Sequence, residues 1–409
     1  MSNVVEILIH PIKAMNGVSV KQSKITNGRL EYDRGFCVVE SSGHRYPKNQ
    51  ALSMRNFPTL ASISVSLDTT EGNPSNVTLT SPLDKSNTVT FSLNPSPNEL
   101  APKAIAVECG GASTTSAGSW HLGVVENCRS LRAPSAWLNE ILNSELVDRP
   151  KRSKPLGEYH LVMFSTTESA GRDLSRYAGP FQVPFSEDVE KQRIGEASPF
   201  KFQKVPVVKD DKIAFQDVAP INLLSLVSFR DLQENILKQS TVEDKKDEAF
   251  VEAVKSYSPR VFRPNIIVDG GKLKKYDEET WSKFKLGEVD FRGLKPCPRC
   301  SVPARNPKTG EMHYPNSSLS RLAPQKVMRT MFPEKCIDDE WGVEWQGTIF
   351  SMHVGANDAE GQVIRVGDEI TVKERKGGSS IVRKIGTILF LFIALTWMAL
   401  DSANKLAPN

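Results

Sequence analysis

Cysteine is scarce in this chain, with six in 409 residues. Cys37, Cys109, Cys128, Cys297, Cys300 and Cys336 are too few and too scattered for a disulfide framework, which points to a reducing compartment. A charge excess of one sign is also lacking. The 52 Lys and Arg against 48 Asp and Glu leave a net charge of +4. The basic residues are dispersed and no helix-turn-helix or RNA-binding signature is present, so no nucleic-acid partner is expected. His44, His121, His160 and His353 show no paired spacing. Flavin, haem and nicotinamide motifs are missing, as are internal repeats. The chain enters directly into Val4-Val5-Glu6-Ile7-Leu8-Ile9 with no basic leader, and no amino-terminal targeting segment is expected.

Long apolar runs are absent until the carboxyl end. Ile385 to Leu400 carries no charge and falls just short of the ~20 residues that usually span a bilayer. Arg383 and Lys384 can snorkel to extend it, Trp397 suits an interface, and Lys373, Arg375 and Lys376 add positive charge upstream. The expectation is a transmembrane tail anchor over 385–400 with the body of the protein in the cytosol. A short anchor favours a thin membrane: the mitochondrial outer membrane first, the endoplasmic reticulum second.

The rest reads as mostly β. Gly35–Glu40, Ser62–Leu67, Asn76–Leu79 and Thr88–Leu93 are strand candidates separated by turn-forming residues, a spacing that suggests a barrel or curled sheet. A helix is expected over Ser135–Leu142, with Ser135 as N-cap. Pro220–Ile236 reads as a turn plus helix, Glu243–Tyr257 as an amphipathic helix, and Val261 onward as strands, through Gly287–Phe291 to Gly361–Val372. Cys37 and Cys109 sit in apolar runs as small buried hydrophobes.

One short run concentrates unusual chemistry. Pro296-Cys297-Pro298-Arg299-Cys300 follows the strand-like Gly287–Phe291, and Phe262-Arg263-Pro264-Asn265-Ile266-Ile267-Val268 lies upstream. Thiolate sulfur is a soft ligand for thiophilic metals, and a guanidinium fork suits phosphate or carboxylate. Together they suggest a metal held partly by a phosphorylated organic cofactor. Two other readings stand beside it. A structural zinc site needs four ligands, which His313 and Cys336 would have to complete. A thioredoxin-type pair belongs at a helix N-terminus, whereas here the chain continues Ser301-Val302-Pro303-Ala304-Arg305.

Taken in order, these runs resemble the MOSC family. Phe262–Asn265, Lys295–Cys300 and Asn306-Pro307-Lys308-Thr309-Gly310 are similar to the MOSC domain itself, the module of molybdenum-cofactor sulfurases and of amidoxime-reducing components. His10-Pro11-Ile12-Lys13-Ala14-Met15-Asn16-Gly17-Val18, Asp33-Arg34 and Met54–Leu60 resemble the N-terminal β-barrel domain that precedes it. Ala214–Pro220 and Gly361–Asp368 are similar to the opening and closing motifs of MOSC. The implied fold is mostly β with α/β elements: an N-terminal β-barrel-like domain, a MOSC β-barrel domain and a C-terminal transmembrane helix. The expected boundaries are 1–140 for the first domain, 141–213 for a linker or insertion with some strand and 214–372 for MOSC. A basic flexible linker over 373–384 and the anchor follow.

The resemblance implies a molybdenum–pterin cofactor and reduction of amidoximes, hydroxylamines or N-oxides. The second cysteine of the motif, the implied metal ligand, falls on Cys300, which leaves Cys297 structural or a bystander. The implied cofactor-binding residues fall on Lys13, Arg34, Arg263, Asn265 and Arg299; a surface ion-pair role is the other reading of Arg34 and Arg55. The implied acidic residue falls on Asp217, which either carries protons or accepts backbone N–H bonds ahead of Pro220. Implied partners are a b5-type cytochrome and its NADH-dependent flavin reductase, with the protein itself a monomer. The chain departs from the family at Ala14, Val218 and Ala219, each a lost hydroxyl. That makes a non-catalytic cofactor carrier or degenerate binder the alternative. A full sulfurase is not expected, because there is no room for its pyridoxal-phosphate desulfurase domain.

Overall fold

The computed structural model describes residues 1–43, 49–54, 57–111, 120–144, 157–164, 172–173, 212–216, 219–306, 310, 312, 319–331, 348–356 and 358–375. The first strands are β1 (Ser2–Ile9), β2 (Val18–Val20), β3 (Gln22–Thr26), β4 (Arg29–Leu30), β5 (Phe36–Glu40) and β6 (Gln50–Ala51). After them come β7 (Ser64–Leu67), β8 (Asn76–Thr80), β9 (Thr88–Ser92), β10 (Leu100–Gly111), β11 (Trp120–Leu131) and helix α1 (Arg132–Asn143). Strands β12 (Tyr159–Met163), β13 (Arg172–Asp173), β14 (Lys212–Ile213) and β15 (Ile221–Ser225) lead to α2 (Leu226–Gln239) and α3 (Glu248–Ser256). The remainder is β16 (Ile266–Gly270), β17 (Trp281–Leu286), β18 (Val289–Arg299), α4 (Pro324–Met331), β19 (Thr348–Gly355), β20 (Val363–Arg365) and β21 (Ile370–Arg375).

Strands β10, β11, β12, β5 and β6 close into a small barrel. Alternation along β5 sends Cys37 and Val39 into one buried cluster with Val107, Cys109, Val125 and Cys128, while Phe36 and Val38 join a second with α1 and the β7–β9 sheet. The barrel takes in β12 and so reaches past residue 140.

The larger sheet runs β2-β1-β16-β15-β19-β18-β17-β21. Its first strand comes from the amino terminus, and β1 pairs antiparallel with β16 through Ile7↔Ile266. Within this sheet the parallel pair is β15 with β16, and α2 and α3 bridge it, since a parallel neighbour requires a crossover. Ile7 and Ile9 face one buried cluster with Leu223 and Ile266; Leu8 faces the other, against α2, α3 and α4. Both faces of the sheet are therefore covered.

Several expectations are corrected. Leu223 and Leu224, expected on a helix, lie in the central strand β15, and the helix starts only at Leu226, where Ser225 caps it by accepting from Val227 N. A short apolar run does not separate buried strand from helix. Ser135 is not an N-cap: α1 begins at Arg132, and the Ser135 hydroxyl donates to Leu131 O inside the first turn. The helix expected from Glu243 is confined to α3. Lys373 and Arg375, expected in a flexible basic linker, extend β21, where they pair with Asp290 and Asp277. Among the described residues no helix is long and apolar enough to cross a membrane; the run 385–400 expected to do so lies outside them.

Candidate functional site

The loops at one end of the large sheet meet the segments that lead into the barrel. Left-handed backbone marks the meeting point: Ala14 (φ 69°), Arg34 (φ 50°), Arg263 (φ 52°) and Ser351 (φ 70°) all adopt a conformation costly for a residue with a Cβ. Such residues persist where surrounding contacts fix them, and they gather at functional sites.

The contacts are specific. The segment after β1 brings in buried Lys13, whose Nζ donates to Phe215 O at 3.0 Å. The Arg34 backbone N–H donates to His10 O at 2.6 Å, and Phe215 N–H donates to Arg34 O at 3.3 Å. Buried Asp33 accepts from His10 N (2.9 Å), from Gln216 Nε2 (3.2 Å) and from Arg34 Nη1. The Arg34 guanidinium reaches on to Asn265 Oδ1 (3.3 Å) and Arg263 O (3.4 Å). Arg263 Nη1 contacts Met54 Sδ at 3.3 Å. Burial, joined by the charges of Arg263 and Arg34, holds His10 well below its ordinary value, so at pH 7 the ring is neutral. Its Nε2 lies 3.2 Å from Pro264 O.

A second half is built around the end of β18. The strand runs through Cys297 and Arg299, so the Cys-x-x-Cys pair is not a loop: Cys297 is buried and Cys300 is the first exposed residue beyond the strand. Arg299 Nε donates to Phe350 O (2.8 Å) and Nη1 to Phe262 O (2.9 Å), while Nη2 meets Asn222 Oδ1 (3.5 Å) and the Ser351 hydroxyl. Its guanidinium also lies over the Phe262 ring, 5.1 Å from the centroid. Arg299 is therefore spent inside the protein. So is Asn265: its Oδ1 accepts from Asn222 N at 3.1 Å and its Nδ2 donates to Leu8 O at 3.2 Å. Cys300 is left at the surface with its Sγ accepting from Val302 N at 3.5 Å.

The structure thus brings Lys13, Arg34, Arg263, Asn265 and Arg299 into one hydrogen-bonded assembly that ends on an exposed thiol. Asp217 lies outside the described residues, next after Gln216, and so do Arg55, His313 and Cys336. Among the described residues no group of three His, Cys, Asp or Glu side chains is placed to hold a metal ion. Sequence reasoning missed Asn222 and Ser351, which link Asn265 to Arg299, because isolated Asn and Ser carry no pattern. It also gave no role to Arg305, which stands in the very run that carries the motif.

Two family models and several known proteins match the chain. Residues 1–127 match the MOSC N-terminal beta barrel domain and residues 210–371 match the MOSC domain. Mitochondrial amidoxime-reducing component 1 of Danio rerio is 24% identical over 331 residues, 80% of this chain and 74% of that protein. Mitochondrial amidoxime reducing component 2 of Rattus norvegicus is 30% identical over 99 residues, 24% of each chain. Molybdenum cofactor sulfurase of Arabidopsis thaliana is 28% identical over 120 residues, 29% of this chain and 14% of that protein. The chain belongs to the MOSC-domain proteins that carry a MOSC N-terminal beta barrel domain, and it resembles the mitochondrial amidoxime-reducing components.

Proposed function

We propose that this protein is a molybdenum-cofactor-dependent reductase of N-hydroxylated compounds: amidoximes, hydroxylamines and N-oxides. The observation that carries the reading is an exposed thiol, Cys300, at the rim of an assembly rich in cationic side chains. That donor set fits an anionic, sulfur-coordinated metal cofactor: one soft ligand, and guanidinium or ammonium groups for phosphate. Lys13, Arg34 and Arg263 would hold the cofactor. Arg299 and Asn265, whose polar groups bond to protein, would position the strand and loop that present Cys300. Cys300 Sγ would ligate the metal.

The chemistry a bound molybdenum pterin supplies is removal of the hydroxyl oxygen with two electrons. An amidoxime, two electrons and two protons give an amidine and water. Asp217 would deliver a proton to the departing oxygen, and neutral His10 would add no further positive charge beside Arg34 and Arg263. Electrons would come from a b5-type cytochrome and an NADH-dependent flavin reductase. A tail anchor over 385–400 would hold the monomeric enzyme on the mitochondrial outer membrane, facing the cytosol beside its donors, with the endoplasmic reticulum second; the apolar run and the mitochondrial names of the relatives support this. A second reading, a non-catalytic carrier or degenerate binder, is favoured by Ala14, buried and without a hydroxyl to donate next to Lys13.

The test is metal and pterin content of the full chain from a cofactor-producing host, followed by amidoxime reduction. Near-stoichiometric molybdenum and pterin with turnover support the enzyme; cofactor without turnover supports the carrier; a folded protein with neither sinks both of these and leaves the degenerate binder. Cys300→Ala should abolish molybdenum binding while leaving the urea unfolding midpoint in place, because the side chain is exposed.

A further inference from the structure

Arg305 is a half-buried cation beside Cys300 that the assembly described above does not use. Its backbone N–H closes a 3-10 turn on Val302 O at 2.9 Å, and the N–H of that same Val302 donates to Cys300 Sγ. Its Nη1 donates to Gly310 O at 2.8 Å. Its Nε is buried, and among the described residues it has no hydrogen-bond partner. No carboxylate among the described residues pairs with this guanidinium. Burial works against its charge. Arg29, a buried guanidinium that also carries an idle nitrogen, differs in having the charges of Asp33 and Glu360 close by.

A half-buried, uncompensated guanidinium is costly by itself and becomes favourable when an anion completes it. Its planar fork suits a carboxylate or another oxyanion better than a neutral group. Lys13, Arg34 and Arg263 already supply the cations assigned to the cofactor, which leaves Arg305 for a molecule that approaches the exposed thiol from outside. We propose that Arg305 is a substrate-binding residue that selects N-hydroxylated compounds bearing an oxyanion, such as a carboxylate, near the N–O group. This rests on the reductase reading for its substrate class.

The experiment uses the cofactor-loaded full chain and a matched pair: an aromatic amidoxime and its carboxylate-bearing analogue. Reduction kinetics are measured for the parent, Arg305→Met and Arg305→Lys. Calorimetric titration of the two corresponding amidines, which cannot be reduced, provides a readout apart from turnover, and pterin content is measured on each protein. A charge-assisted hydrogen bond lost without replacement predicts that the preference for the anionic member falls by about tenfold or more in Arg305→Met, in KM and in Kd, with part retained in Arg305→Lys. An unchanged preference in both readouts overturns the proposal. Loss of pterin with unchanged preference also overturns it, because that places Arg305 on the cofactor. Discrimination between the amidines by a protein that reduces neither amidoxime would sink the reductase reading and keep the anion site; reduction without discrimination would do the reverse.

Discussion

Arg299 shows how one side chain can hold a site without facing its ligand. Its contacts tie the end of β18 to the carbonyls of Phe262 and Phe350 and to Ser351. Truncation to alanine strands buried acceptors and should cost roughly 2–4 kcal/mol, read from urea unfolding; lysine should recover little, because a single ammonium cannot replace a planar fork. Glu278 is a second residue whose environment decides its behaviour. It is fully buried, hydrogen-bonded to Ser228 at 2.8 Å, and burial together with Glu279 pushes its carboxyl up to about 8. Against an unfolded value of 4.5, the folded state holds the extra proton throughout that window. Stability should therefore fall as pH rises from about 4.5 to about 8 and level off above it. His10 acts with the opposite sign: its unfolded imidazole gains a proton below about 6.5 and the folded one does not, so acid costs stability there. Comparing Glu278→Gln with the parent isolates the first effect. The variant should lose that slope and be the more stable protein at pH 9, as followed by thermal unfolding.

At the scale of elements, the loop after β18 is locked against the amino-terminal half by a glycine. Gly310 has φ +75°, and a Cβ there would collide with the Pro58 carbonyl oxygen. Gly310→Ala should therefore destabilise the protein by about 1–3 kcal/mol and raise hydrogen exchange over Cys300–Asn306, two readouts of one contact. The elements also show where sequence was sufficient. Strands β7, β8 and β9 alternate polar and apolar residues between turn signals, and all three form where that pattern lies. Strand β15 does not alternate, since both of its faces are buried, and its five residues read as the start of the helix that follows. The sequence marks a strand only over Gly287–Phe291, yet pairing of β18 with β19 continues to Arg299↔Thr348 with register shifts at Gly293/Lys295 and Pro296/Pro298. An irregular strand can carry proline where an ordinary one cannot. For the site, the charged members were visible in motifs, whereas Asn222 and Ser351 became visible only through their distances to Asn265 and Arg299.

For the whole molecule, the amino terminus is part of the large sheet and not an appendage to it. Strand β1 lies between β2 and β16, burying Val4, Ile7 and Ile9 on one face and Leu8 on the other. At about 1.5–3 kcal/mol for each buried aliphatic side chain, these four alone contribute on the order of 10 kcal/mol, comparable to the whole net stability of a typical domain. The same segment delivers His10 and Lys13 to the site, and β3 pairs with β20 through Ser23↔Ile364. Residues 210–375, although they span the MOSC match, would expose the edge of β16 and one apolar face of the sheet if they were made alone. That fragment should fail to unfold cooperatively by circular dichroism, and co-expression with residues 1–209 should restore both solubility and a cooperative transition. A cooperative transition in the isolated fragment would mean that the sheet closes without its first strand, and that the two matched regions are joined only at the site and not through a common core.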